Sequence, residues 1–204
     1  MANKPSRPKS TELIGLLPDW AIREHLQKEI IKIDPLPKNW EEKVDPVSID
    51  FRLGKYVRVF TNDGLGTIDT KYTTKEEMEK MMPLIELKDG QPLILTKGKF
   101  VIATTFEKLT LPKDIVGHLH GKSSLARLGV LIHSTAARFD PGYDGYPVLE
   151  IGTILDNKEI VLYQGAQICA FSFERMAAPA ENAYTEKSQR KYGEKIPGVS
   201  KPVN

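Results

Sequence analysis

The chain has 204 residues, of which 40% are hydrophobic and 27% are charged. These fractions exclude a fibrous or disordered chain and predict one soluble, globular domain. The net charge of +2 is too small for binding a nucleic acid polymer through a general positive field. The single cysteine, Cys169, excludes an internal disulfide and favours a reducing, cytoplasmic location, with the thiol buried as a small hydrophobe.

No stretch of the sequence reaches the roughly 18 apolar residues of a membrane span, and its start lacks the apolar part of a secretory signal. No membrane partner is therefore expected. Residues 1–16, rich in Pro, Ser, Lys and Arg, are expected to form a tail. A helix is predicted to open near Asp19 and to end before Asp34. The apolar residues that give this segment helical spacing are Trp20, Ile22, Leu26, Ile30 and Ile33.

Short apolar runs separated by turn residues predict β-strands along the rest of the chain. The predicted strands are residues 47–53, 56–60, 93–95, 100–105, 115–119, 130–133, 147–151, 159–162 and 168–173. Thr74 and Glu77 have the spacing of a capping box and predict a short helix, ended by Pro83, within an insertion over residues 60–90. Turns are predicted at 140–142 and 163–165. Many short strands with few helices predict a mainly β domain, an antiparallel sandwich or barrel, over residues 17–180.

Residues 117–123, Gly-His-Leu-His-Gly-Lys-Ser, are close to a phosphate-binding P-loop but have three residues instead of four between the glycines. The surrounding strands also exclude the strand-helix-strand unit that a P-loop needs. Residues 123–128 can instead form one helical turn whose free N–H groups attract an anion, with Lys122 and Arg127 adding charge. The alternative interpretation is a serine-capped turn with solvated charges.

Glu150 lies between apolar residues in the predicted strand 147–151. Burial raises the pKa of a carboxylate and suits it to proton transfer near neutral pH. The alternatives are an outward-facing residue on a half-buried strand, or a structural ion pair with Arg127 or Arg138.

Two histidines, His118 and His120, are spaced to share one face of a strand. The zinc deaminases carry His-x-Glu followed by Pro-Cys-x-x-Cys, which a chain with one cysteine cannot supply. Protein-bound zinc is therefore not expected. We interpret both residues, and His133, as packing or surface histidines.

Two longer motifs lie in the central part of the chain. Residues 121–129 are Gly-Lys-Ser-Ser-Leu-Ala-Arg-Leu-Gly, residues 133–142 are His-Ser-Thr-Ala-Ala-Arg-Phe-Asp-Pro-Gly, and Val-Leu-Glu follows at 148–150. They resemble the dCTP deaminase branch of the trimeric dUTPase superfamily, whose motifs are Gly-Arg-Ser-Ser-Leu-Ala-Arg-Leu-Gly and His-x-Thr-Ala-x-Arg-Ile-Asp-Pro-Gly. The resemblance covers most of the chain and implies a homotrimer of distorted dUTPase-like β-barrels, or jelly rolls, with a few short helices.

The resemblance implies zinc-independent, hydrolytic deamination of dCTP to dUTP and ammonia in pyrimidine deoxynucleotide metabolism. Glu150 would be the general base on a bound water, which Ser123 and the Ala136 carbonyl hold while Arg127 orients the site. The residues that match nucleotide contacts are Lys122, Ser124, Arg138, Phe139, Asp140, Tyr143, Tyr184 and Lys191. Mg²⁺ would bind through the triphosphate, dTTP is implied as a candidate inhibitor, and residues 181–204 would form a lid that orders over nucleotide.

Three positions depart from the family pattern: Lys122 replaces an arginine, Lys195 stands where the lid has a glutamine, and Gly152-Thr153 replaces a polar pair. The alternatives are a dUTP diphosphatase, a bifunctional deaminase and diphosphatase, and a catalytically silent trimer that binds nucleotide. Arg138 favours release of dUTP, because the bifunctional branch usually carries an apolar residue at that position.

Overall fold

The structure is a computed structural model that describes residues 8–61, 67–184 and 194–199. Its helices are α1 (Asp19–Gln27), α2 (Lys75–Met81) and α3 (Ser123–Ala126), with 3-10 turns at Ser10–Glu12 and Trp40–Lys43. Its strands are β1 (Gly15–Leu16), β2 (Lys32–Asp34), β3 (Val44–Asp45), β4 (Ser48–Val59), β5 (Leu84–Glu86), β6 (Pro92–Leu95), β7 (Val101–Thr105), β8 (Lys108–Thr110), β9 (Ile115–Gly121), β10 (Val130–Leu131), β11 (Arg138–Phe139), β12 (Asp144–Gly145), β13 (Val148–Thr153), β14 (Ile160–Tyr163) and β15 (Gln167–Arg175). This composition confirms the predicted mainly β fold class. Within these described ranges, no helix has the length and apolar character needed to cross a membrane.

Ten of the strands form one large antiparallel sheet. Its main order is β10-β13-β7-β4-β15-β9-β11, with β1 beside β15 and with β3 and β5 beside β4. Two smaller sheets, β12-β8-β2 and β14-β6, complete the domain. The sheets share one apolar core, in which the rings of Phe51 and Phe171 lie 4.6 Å apart between centroids. Each such buried side chain stabilises the fold by about 1.5–3 kcal/mol relative to exposure.

The helix predicted to end before Asp34 is shorter in the structure. Glu29 adopts a left-handed φ of 54°, and the backbone N–H groups of Ile30 and Ile31 both donate to the His25 carbonyl. The chain then enters β2, where Ile33 is buried between two exposed neighbours. The prediction was wrong for residues 28–33, because apolar residues of a following strand happened to continue the helical spacing.

The two strands predicted over 47–53 and 56–60 form the single long strand β4. Its pairing with β7 shifts register between Leu53 and Val57. At this irregularity, a Cβ on Gly54 would lie only 2.6 Å from the Thr104 carbonyl oxygen. Glycine therefore allows β4 and β7 to approach closely where the ladder is interrupted.

Other local predictions are confirmed. The Thr74 hydroxyl accepts from the Glu77 N–H, and the Glu77 carboxylate accepts from the Thr74 N–H, so α2 opens with a complete capping box. Gly142 and Gly165 have φ values of 78° and 80° in the predicted turns. Cys169 is fully buried, and burial raises the pKa of its thiol.

Parts of both expected tails pack on the barrel. Residues 10–12 form a 3-10 turn, and β1 pairs with β15. These residues were expected to belong to an N-terminal tail over residues 1–16, but they are part of the folded domain. Near the C-terminus, Ala183 and Val199 are each 1% exposed. The candidate lid residue Lys191 lies outside the described residues.

Candidate active site

Strand β13 and the segment 136–143 form one wall of a cavity of about 430 Å³. The predicted site residues that line this cavity are Ala136, Arg138, Phe139, Asp140, Tyr143, Glu150 and Tyr184. Seven predicted positions therefore meet on one surface of a single chain. The apolar wall of the cavity comes from Phe60, Phe100, Ile102 and α2.

Glu150 faces this cavity because it lies on the side of β13 opposite the core. Its neighbours Leu149 and Ile151 are 0% exposed, whereas Glu150 is half-buried. The Ser134 backbone N–H donates to Glu150 Oε2 at 2.9 Å, which fixes the carboxylate. The apolar flanks thus orient Glu150 away from the interior, and not into it as the sequence suggested.

An ion pair of Glu150 with Arg127 or Arg138 was the alternative interpretation. Among the residues that the structure describes, Glu150 forms no ion pair. Arg138 instead donates through Nε to Asp140 Oδ1 at 3.0 Å, and its side chain is 72% exposed. The Glu150 carboxylate is therefore open to a ligand in the cavity.

An aromatic cluster forms the floor beside Glu150. The Tyr143 ring lies 4.9 Å from Phe139 and 5.4 Å from Tyr184, measured between centroids, and its hydroxyl donates to the Tyr146 carbonyl. The Tyr184 N–H donates to the Pro141 carbonyl at 2.9 Å. These contacts hold three rings in place before any ligand arrives, so this part of the cavity is preformed.

Four further predicted residues lie on a second surface: Lys122, Ser123, Ser124 and Arg127. This surface, the α3 groove, comprises α3 with its cap residues Lys122 and Arg127 and the adjoining groove lined by Asp50, His118 and His120. The predicted helical turn is confirmed as α3, but its N-cap is Lys122 and no side chain caps it. Ser123, Ser124 and Arg127 are exposed, and the Lys122 ammonium pairs with Asp50. Among the described residues, the α3 groove and the Glu150 cavity have no lining residue in common.

The histidines of the α3 groove have protein partners. His118 Nε2 lies 3.0 Å from Glu174 Oε2, and His120 Nε2 lies 2.8 Å from Ser172 Oγ. Burial, with the nearby charges of His118 and His133, lowers the pKa of His120. Across the described ranges, no group of three or more His, Cys, Asp or Glu residues is arranged to hold a metal ion.

Sequence reasoning missed the apolar wall of the cavity. Phe60 and Phe100 flank strands, and Met78 and Met82 belong to the predicted insertion, but only tertiary packing brings them into the cavity that contains Glu150. Gly198 completes this wall from the C-terminal segment. No local pattern in these residues indicates a binding surface.

Known proteins resemble this chain over most of its length. A family model described as dCTP deaminase-like matches residues 16–176. A "dCTP deaminase, dUMP-forming" of Dictyoglomus turgidum is 37% identical over 187 residues, covering 91% of this chain and 94% of the relative. The protein of the same name from Thermobifida fusca is 41% identical over 169 residues, covering 83% and 82%. A "dCTP deaminase" of Thermomicrobium roseum is 38% identical over 187 residues, covering 91% and 93%.

The fold also matches a solved structure. The 2'-deoxycytidine 5'-triphosphate deaminase of Agrobacterium tumefaciens has a TM-score of 0.59 and 24% identity. The match covers 79% of this chain and 48% of that longer chain. This match shows that the chain shares the fold of a solved deaminase, and the family model and the relatives show that the chain belongs to the dCTP deaminase-like family.

Proposed function

We propose that this chain catalyses the hydrolytic deamination of dCTP, with Glu150 as the general base. The observation that carries the proposal is the half-buried Glu150 carboxylate, fixed by the Ser134 N–H and open to a cavity with a preformed aromatic floor. The names of the relatives support dCTP as the substrate. The cavity volume of about 430 Å³ is within the range of small-molecule sites.

In this mechanism a water lies between Glu150 and the Ala136 carbonyl. Glu150 takes one proton as the water oxygen forms a bond to C4 of cytosine, and the resulting tetrahedral carbon carries both hydroxyl and amino groups. The protonated Glu150 then delivers its proton to the amino nitrogen, and the hydroxyl proton passes to N3, which gained the electron pair of the C4–N3 double bond. The C–N bond breaks, and the C4 carbonyl forms as ammonia leaves. One water is consumed for each ammonia released.

The aromatic floor and Asp140 bind the deoxyribose in this proposal. Asp140 accepts from the 3'-hydroxyl, and the Tyr143 ring packs against the sugar where a 2'-hydroxyl would need space. Tyr143 is only 4% exposed, and its ring contacts with Phe139 and Tyr184 resist displacement. CTP should therefore be a poorer substrate than dCTP.

A second copy of the chain supplies the rest of the site. Ser123 would hold the water, Arg127 would stabilise developing charge, and Lys122 and Ser124 would bind phosphate, yet all four belong to the α3 groove. A homotrimer in which the α3 groove of one subunit meets the Glu150 cavity of the next would join the two halves. Cyclic trimers use such head-to-tail interfaces.

Mg²⁺ belongs to the proposal as an ion carried by the triphosphate. Mg²⁺ commonly binds substrate phosphates and keeps several of its waters, so it needs few protein ligands. Lys122 and Arg138 would neutralise further phosphate charge, Lys122 after leaving Asp50. Zinc takes no part in this mechanism.

We propose dUTP as the product, because Arg138 places an exposed cation at a rim position that is usually apolar in bifunctional enzymes. A second candidate is release of dUMP and pyrophosphate, and the names of the D. turgidum and T. fusca relatives favour it. Incubation with dCTP, dCMP, dUTP or CTP and Mg²⁺, followed by chromatography, distinguishes the two. Conversion of dCTP to dUTP and ammonia is expected; dUMP would support the second candidate, and unchanged dCTP would contradict both.

The role of Glu150 is tested by Glu150→Gln. The amide keeps the shape and can still accept from Ser134, but it cannot take a proton from water, so kcat should fall by about a hundredfold to ten-thousandfold. Binding of dCTP, measured by calorimetry, should remain close to that of the unsubstituted protein. Glu159→Gln, at an exposed position outside the cavity, is the matched control. Normal turnover by Glu150→Gln would show that Glu150 is structural.

A further inference from the structure

The C-terminal residues 195–199, here called the docked segment, lie against β4, β7 and α2. Thr104 Oγ1 donates to the Lys195 carbonyl at 2.8 Å, and Arg58 Nε donates to the Pro197 carbonyl at 2.7 Å. Pro197 and Val199 are buried, whereas Ile196 and Gly198 are exposed. This alternation and the two hydrogen bonds describe an extended segment fixed at specific positions on the barrel.

Arg58 joins the docked segment to the insertion that contains α2. Its Nη1 donates to the Met82 carbonyl at 2.9 Å, and Met82 is the C-cap of α2. Val199 packs with Met78 and Met82 in a small apolar cluster separate from the main core. One guanidinium and one valine thus make the end of α2 and the docked segment a single packed unit.

Strand register places this unit beside Glu150. In adjacent strands, Arg58 pairs with Ile102 and Ile102 pairs with Glu150, so the three residues form a row on one face of the sheet. Strands lie about 4.8 Å apart, which puts the ends of the row about 10 Å from each other. Gly198 lines the cavity that contains Glu150, together with Met78, Met82 and Ile102.

We propose that Arg58 and Val199 are positioning residues that hold the docked segment and α2 as the apolar wall of the Glu150 cavity. This inference rests on the proposed function, because the wall acts on the nucleotide bound in that cavity. Glu150 itself is held by β13 and Ser134, so loss of the wall leaves the general base in place. Loss of the wall should therefore weaken nucleotide binding and raise KM, whereas kcat, which depends on Glu150, should change less.

The kinetic test uses Arg58→Met and Val199→Asp. Arg58→Met removes both hydrogen bonds, and Val199→Asp introduces a charge beside the buried methionines. Each should lower kcat/KM for dCTP by about tenfold to a hundredfold, mainly through KM. Val199→Ala, which only removes packing, is the milder second variant and should raise KM by a smaller factor in the same direction.

Two control variants match these changes in chemistry but not in place. Arg23, like Arg58, donates to two backbone carbonyls, those of Glu41 and Val44. Arg23→Met therefore controls for the loss of an arginine that joins two segments elsewhere in the fold. Val161 lies in β14, outside the cavity, and is 45% exposed, so Val161→Asp controls for the added charge. Both should leave KM and kcat unchanged.

Hydrogen-deuterium exchange tests, without relying on activity, whether Arg58 couples the docked segment to α2. Arg58→Met should speed amide exchange both in residues 195–199 and at the end of α2, and Arg23→Met should change neither. Unchanged KM in Arg58→Met and Val199→Ala, or faster exchange in only one of the two segments, would overturn the inference. If the unsubstituted protein fails to deaminate dCTP, the proposed function is wrong, and the exchange experiment still decides whether the coupling exists.

Discussion

The Glu150 cavity and the α3 groove differ in how far each is built within one chain. The cavity has a fixed carboxylate, packed aromatic rings and an apolar wall. The α3 groove is more open, and α3 is a single exposed turn whose Lys122 is paired with Asp50. The contrast teaches that the half of the predicted site around Glu150 is preformed in one chain, whereas the half that we propose to bind phosphate and water is an exposed surface, as expected if a partner subunit completes it.

The largest expected effect comes from combining two variants, one with the Glu150 cavity disabled and the other with the α3 groove disabled. Glu150→Gln and Ser123→Ala should each be nearly inactive alone. Refolded together as a mixture in equal amounts, they should regain about a quarter of the activity of the unsubstituted protein, since in a random ring one site in four joins an intact Glu150 to an intact Ser123. Turnover of the mixture, with mass in solution by light scattering, measures this.

The controls for mixing are each variant refolded alone and Glu150→Gln refolded with Glu150→Gln,Ser123→Ala. Neither should regain activity, because no pairing of their subunits contains both intact residues. A mixture that stays inactive while having the mass of a trimer would show that one chain supplies both halves. A fully active monomer would contradict the trimer altogether.

A smaller effect is expected from the cation of the α3 groove. Lys122→Ala should raise KM for dCTP by about tenfold, because a charge-assisted hydrogen bond to phosphate is lost. Lys122→Arg should lower KM by a few-fold, because a guanidinium can bind phosphate through two N–H groups. Lys97→Ala, which removes an exposed ammonium paired with Asp156, is the control. Equal KM values in all four proteins would exclude Lys122 from phosphate binding.

The smallest expected effect is on the pH dependence of the free energy of unfolding, through a histidine that lies outside the predicted site. His25 is 0% exposed, donates through Nδ1 to the Ala21 carbonyl, and accepts through Nε2 from Arg175 at 2.7 Å. Burial, with the Arg175 charge, lowers the pKa of His25 below its ordinary value of 6.5. The unfolded chain therefore binds this proton first, and the free energy of unfolding should fall as pH drops below about 6.5.

Thermal unfolding at pH 7.5 and pH 5.5 measures this effect. Because His25→Gln removes the titrating group but keeps donor and acceptor atoms, it should show a smaller difference in Tm between the two pH values. An equal difference in both proteins would assign the acid sensitivity to other groups. Neither surface of the predicted site contains His25, so turnover corrected for the folded fraction should be unaffected at pH 7.5.

Local patterns predicted α2 and most of the longer strands, because strand alternation and capping depend on neighbouring residues. They missed seven strands of two or three residues, which are too short to show alternation: β1, β2, β3, β5, β8, β11 and β12. They failed at Ile33, where a strand continued the spacing of a helix, and at Gly54, where a contact with β7 keeps β4 continuous. The motif around Glu150 identified one side of the cavity. Phe100, Met82 and Gly198 could not be found in this way, because their place in the Glu150 cavity depends on sheet register and on contacts between distant parts of the chain.

The row of Arg58, Ile102 and Glu150 makes the site sensitive to the length of β7, the middle strand of the row. Inserting or deleting one residue in β7 would turn its side chains to the opposite face and shift its pairing with β4 and β13 together. Relatives and engineered variants should therefore accommodate insertions in the connection before β7 or after β13, while the length of β7 itself stays constant.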